Sequence, residues 1–182
     1  MAGVILIFAA AFLVLSFKSL CRPAQSAPAL VHPEAAAPCT DKAHRQFDFW
    51  VGDWDVVEIE HPTVIVAHAR IEKILNECVL HEVYESPGGH KGESFSIYDA
   101  TRNAWHQSWV TNSGQLLIIE GHLSGEAMIL QGTDQLPDGK SRQVRGEWRV
   151  DKHGVHESAV RSIDAGVTWV SWFDLLFRPR TE

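Results

Sequence analysis

Nowhere in this 182-residue chain do apolar residues recur at a helical period over three turns, an absence that removes helical bundles from consideration. Basic charge is also scarce: 16 Lys and Arg stand against 23 Asp and Glu, scattered rather than striped. A protein that grips phosphate backbones needs a basic stripe, so nucleic acid is excluded as a partner, and anionic membrane surfaces are disfavoured for the same reason. The short catalytic signatures are missing too. There is no G-x-S-x-G elbow, no H-E-x-x-H, no C-x-x-C and no phosphate-binding glycine loop, so no motif names an enzyme chemistry. His153 and His156 form H-x-x-H, but on a strand that spacing puts the two rings on opposite faces, and Gly154 places His153 in a turn. No metal site, catalytic residue or cofactor is assigned.

Cysteine occurs only three times, and its placement bears on the compartment. Residues Val4 to Phe17 form an uncharged apolar run of signal-peptide length, short for crossing a bilayer, and Ala24-Gln25-Ser26 supplies an A-x-S cleavage site. Residues 1–26 therefore read as a leader. Removing them takes away Cys21, Lys18 and Arg22 and no acid, leaving 14 basic against 23 acidic side chains, a net charge of −9. It also leaves an even pair, Cys39 and Cys78, whose disulfide fits an oxidising destination, periplasmic or secreted; two unpaired thiols are the alternative. The charge order argues the other way, because Lys18 and Arg22 follow the apolar run instead of preceding it, and an uncleaved membrane anchor is the alternative location. After cleavage no stable membrane association is expected. A lipid-modified Cys21 is rejected because Leu20, not a small residue, precedes it.

Residues 27–42 are an Ala- and Pro-rich linker without sustained periodicity, and residues 43–182 are expected to form one domain. From there the chain is a succession of short β-type runs: 54–60, 63–75, 78–85, 93–99, 104–111, 115–121, 126–132, 142–150, 155–162 and 167–177. Turn chemistry separates them, as in Ser86-Pro87-Gly88-Gly89, Asn112-Ser113-Gly114, Pro137-Asp138-Gly139 and His153-Gly154. Connections this short pair sequential neighbours antiparallel. With about ten strands, closure is the economical way to remove exposed edges, so the expected fold is all-β, an antiparallel up-and-down barrel.

Two local signatures read as structure. In Phe47-Asp48-Phe49-Trp50-Val51-Gly52-Asp53-Trp54, aromatics crowd the entry to the first strand, where an indole can plug one barrel end while Gly makes room. Ser162-Ile163-Asp164-Ala165-Gly166-Val167-Thr168-Trp169 matches an Asp-box. A single copy in so short a chain is a hairpin turn and not a sign of a glycosidase propeller.

Candidate ligand contacts come from alternation within the strands. Trp105, Gln107 and Trp109 share one face, an aromatic surface with an amide in the middle that suits a small amphipathic ligand. Arg70, Glu82, Arg145 and Glu157 also fall inside strands, where a charge either faces solvent or pairs inside the barrel. Three readings follow. The chain is an exported barrel binding a small apolar or amphipathic molecule; or an enzyme using Glu82 or Glu157 as acid or base beside Arg70 or Arg145; or a structural domain with a filled core. Oligomeric state is not legible.

Taken together, FDFWVGDWDV, RIEKIL, NECVLHE, GESFSIYDATRNAWHQSWV, NSGQLLIIEG and SIDAGVTW resemble a family of bacterial proteins of unknown function, often exported, over about residues 44–178. The resemblance implies a calycin-like or lipocalin-like barrel and supplies no chemistry. The chain departs from the family pattern at Asn76-Glu77, where relatives tend to carry glycine, and at Ala165, which replaces a glycine in the Asp-box turn. More remotely the barrel is similar to nitrobindin-type haem binders, but no histidine here corresponds to their ligand, so haem is not carried over.

Overall fold

Ten strands follow a short 3-10 helix, Asp48–Trp50, in the computed structural model, which describes residues 39–136 and 138–181. The expected leader, its expected cleavage position and most of the expected linker lie outside the described residues. The strands are β1 (Gly52–Glu58), β2 (His61–Ile74), β3 (Val79–Glu85), β4 (Lys91–Asp99), β5 (Ala104–Thr111), β6 (Leu116–Ser124), β7 (Ala127–Gln135), β8 (Ser141–Asp151), β9 (Gly154–Ser162) and β10 (Val170–Pro179). Each pairs antiparallel with its neighbours in sequence, and β10 returns to β1, giving a closed up-and-down barrel with no free edge.

Alternation sets the inside. On β2, Ala67, Ala69 and Ile71 are buried; on β4, Gly92, Ser94 and Ser96; on β8, Val144, Gly146 and Trp148. Many of these inward residues are small. β10 begins at Val170, later than the sequence pattern implies, because the residues before it are held in the Asp-box turn. There Asp164 accepts bonds from the Ser162 hydroxyl at 2.6 Å and from the Thr168 backbone N–H at 2.9 Å, and Trp169 Nε1 donates to Gly166 O at 3.0 Å. These bonds, led by that from Ser162, hold the Asp164 carboxyl down at about 2.

Several non-glycine residues in the turns take positive φ. Asn76, Glu77 and Ala165 take φ of +57°, +65° and +57°, backbone that glycine adopts without cost and that Asn tolerates.

The aromatic entry closes one end. Phe47 and Trp50 are fully buried and stacked at 5.2 Å, and the Phe47 ring also meets Trp105 at 5.6 Å and Trp148 at 5.5 Å edge-on. Such pairs add roughly 0.5–1.5 kcal/mol each beyond the area they bury. Trp54 Nε1 donates to Trp50 O at 3.0 Å, and a Cβ on Gly52 would stand 2.7 Å from the Trp54 ring, so the glycine makes room for the indole. At this same end Cys39 and Cys78 form a disulfide, tying the segment before the 3-10 helix to the β2–β3 turn.

Candidate functional site

Beyond the aromatic plug the barrel is hollow. A cavity of about 350 Å³ runs toward the opposite end, where Glu58, His90 and Gln115 stand. Its existence follows from the small inward residues: Gly92, Ser94, Ser96, Gly146 and Ala159 cannot span the interior, and the large rings lie against them instead of meeting at the axis. A Cβ on Gly92 would fall 2.2 Å from Trp109, and one on Gly146 would fall 2.7 Å from Trp148. These two indoles are thus laid flat against the wall, one on each side.

Most of the remaining wall is aromatic or aliphatic: Tyr84, Trp172, Phe173, Leu175, Phe177 and Leu117. Trp172 and Phe173 are consecutive yet both line the cavity, because the β9–β10 register slips between Ser171 and Phe173.

Two carboxyls interrupt this surface. Glu82 sits in the cross-strand row Ile71, Glu82, Ser94, Trp109, Leu117, and Glu157 in the row Leu175, Glu157, Trp148, Met128. Ser94 Oγ donates to Glu82 Oε2 at 2.8 Å, and below it Gln107 Nε2 donates to Ser96 Oγ at 3.1 Å. Burial pushes the Glu82 carboxyl up to about 7, with the Ser94 bond pulling weakly the other way. Burial also raises Glu157 well above the carboxylate range, reinforced by the negative charge of Glu82. Glu157 lines the cavity among mostly apolar walls, where water solvates it poorly. The nearby Trp148 indole relieves Glu157 in part, although its N–H is buried and makes no hydrogen bond of ordinary geometry. The Tyr84 hydroxyl is pushed up to about 12, by burial first and then by Glu157, Glu82 and Glu58. No Lys or Arg is among the described residues lining this space.

Of the side chains that the sequence nominated, four are brought together here: Glu82, Gln107, Trp109 and Glu157. Trp105 shares their inward face but lies deeper, buried in the plug with its Nε1 donating to Gln46 Oε1 at 3.1 Å. Arg70 and Arg145 are not part of the site. Each follows a buried inward residue, Ala69 and Val144, so the two-residue period turns both outward; Arg145 stacks on Trp169 at 4.7 Å. The wall therefore separates the arginines from the glutamates, and no Arg–Glu acid–base pair forms inside. His156 likewise faces outward and pairs with Asp174, while His153 sits in the β8–β9 turn.

Sequence reasoning missed Tyr84, Ser94, Trp148 and Trp172 as wall residues. The first three were within reach. Tyr84 lies two residues after Glu82, Ser94 is the cross-strand partner of Glu82, and Trp148 shares the Val144–Gly146 face. Trp172 was not, because its exposure to the cavity depends on the register slip.

The chain matches no family model and no curated protein. The class is therefore defined by geometry alone: a closed ten-stranded antiparallel barrel, plugged by aromatics at one end and enclosing an acidic, aromatic-walled cavity.

Proposed function

We propose that this protein is an exported, lipocalin-like binding protein that takes a small amphipathic molecule into the barrel. The observation that carries the reading is the cavity of about 350 Å³, whose wall is mainly aromatic and aliphatic with a few fixed polar groups, the composition of small-molecule sites. The hollow interior argues against a filled structural core. The Cys39–Cys78 disulfide supports an oxidising compartment, periplasmic or extracellular, reached through a cleaved leader.

The test is thermal stability against fatty acids, isoprenoids, haem, phenolic compounds and aromatic amines. A ligand at one hundred times its dissociation constant stabilises by roughly 2.7 kcal/mol, a readily measured rise in melting temperature. The rise should vanish in Ala159→Leu, where the added side chain fills the space Ala159 now leaves. Absence of any shift across the panel would overturn the proposal.

A further inference from the structure

The composition of the cavity wall narrows the ligand class beyond amphipathic, and this step rests on the binding reading above. Three carboxyls, from Glu58, Glu82 and Glu157, face the space, and no Lys or Arg among the described residues lines it. The other titratable groups there are Tyr84 and His90, the latter on the β3–β4 turn. Glu58 stands at the rim, where His61 Nδ1 pairs with it at 3.1 Å, leaving Glu82 and Glu157 as the acids of the interior. Glu82 has one hydrogen-bond donor, Ser94, for two oxygens that together offer about four acceptor sites. Trp109, Trp148 and Trp172 line the same space, the side-chain type that holds a cation best, and Trp172 already stacks with guanidiniums. Two guanidiniums stand on the inward face toward the open end, beyond the residues that line the cavity: Arg142, held by Asp134 at 2.6 Å, and Arg161, the cross-strand partner of Val144, stack on Trp172 at 5.0 Å and 5.9 Å.

The Trp148 indole N–H stands beside Glu157. It is buried, lines the cavity and has no hydrogen-bond partner among the described residues. A buried donor without a bond of ordinary geometry is costly, and Glu157, which this indole already relieves in part, is the acceptor beside it. A Glu157 carboxylate turned and fixed by a bound cation would supply that acceptor. A metal ion does not suit the site, since no three His, Cys, Asp or Glu side chains gather as ligands among the described residues, and the wall is mostly apolar.

We propose that the cavity selects a small organic cation, a primary amine on an aromatic or aliphatic body, with the ammonium between Glu82 and Glu157 and the body against Trp109, Trp148 and Trp172. An ammonium donates three hydrogen bonds and accepts none, which matches a wall rich in carboxyl acceptors. A neutral alcohol of the same shape gains the apolar contact but not the charge. A carboxylate ligand brings a negative charge beside two carboxyls that burial already disfavours ionising. Because burial holds protons on the empty pair, entry of an ammonium favours their ionisation and releases a proton to solvent.

The experiment compares matched pairs by isothermal titration at about pH 7: tryptamine with tryptophol, phenethylamine with 2-phenylethanol, and octylamine with octanol, each in phosphate and in Tris. The expected result is that the amine binds at least about tenfold more tightly than its alcohol in one or more pairs, with heat that depends on the buffer. In the Glu82→Gln/Glu157→Gln double variant, which keeps shape and removes both ionisable carboxyls, the preference should disappear while alcohol binding persists. Alcohols binding as well as amines would overturn the cation assignment and leave the binding cavity standing. Amine preference without buffer-dependent heat, or preserved in the double variant, would also overturn it, by taking the carboxyls out of the contact. No binding by any of the six, together with no shift in the broader panel, would overturn both readings.

Discussion

Replacing Glu82 by Gln should make the protein more stable at high pH and leave it almost unchanged in acid. In the unfolded chain a glutamate loses its proton near 4.5, whereas in the barrel burial keeps Glu82 protonated up to about 7. Between those values the folded state binds more protons than the unfolded state, so stability falls as pH rises, and the loss is complete once pH passes the folded value. The gap corresponds to about 3 kcal/mol. Gln has the same shape, carries no charge at any pH and can still accept the Ser94 hydroxyl bond through its amide oxygen. Urea unfolding followed by tryptophan fluorescence at about pH 4 and about pH 8.5 measures both states. The variant should match the wild type in acid to within about 0.5 kcal/mol and exceed it at the higher pH by up to about 3 kcal/mol. Equal differences at the two pH values, or a variant weaker at high pH, would refute the reasoning.

The remaining predictions concern the plug, the disulfide and the void. Phe47→Ala removes a ring with no exposed surface that meets four other aromatic rings, and should cost about 3–5 kcal/mol in denaturant unfolding. Cys39→Ser/Cys78→Ser opens a loop whose ends are 39 residues apart and should lower stability by about 4 kcal/mol in the chain-entropy account, an effect that reduction of the wild type reproduces. Gly92→Val should disturb the site more than the fold: its side chain displaces the Trp109 indole from the wall into the cavity, visible as a shift in tryptophan emission and as lost ligand binding.

The ten strands were legible because most of their residues keep a two-residue period, broken at Val56–Val57 and at Trp172–Phe173, and because glycine, proline and asparagine mark nearly every reversal. Closure followed from the number of strands and the shortness of their connections. The inside was harder to read. Arg70 and Glu82 look alike in sequence, each a charge among β-formers, but Arg70 stands between buried Ala69 and Ile71 whereas Glu82 is itself on the inward face with Leu80. Choosing between them requires knowing which alternation faces inward, and that is set by barrel closure, not by any one strand. The void was hidden for a different reason. Gly92, Ser94, Ser96, Gly146 and Ala159 are unremarkable one strand at a time, and only their assembly around one space shows too little volume to fill it.

The acidic, poorly solvated interior is tested most directly by carbon-13 NMR titration of the glutamate side-chain carboxyls, assigned with Glu82→Gln and Glu157→Gln. Two resonances should titrate above the rest, that of Glu82 at about 7 and that of Glu157 well above the ordinary carboxylate range. If all glutamates titrate together below about 5.5, those two carboxyls are in contact with bulk water and the enclosed acidic cavity does not exist.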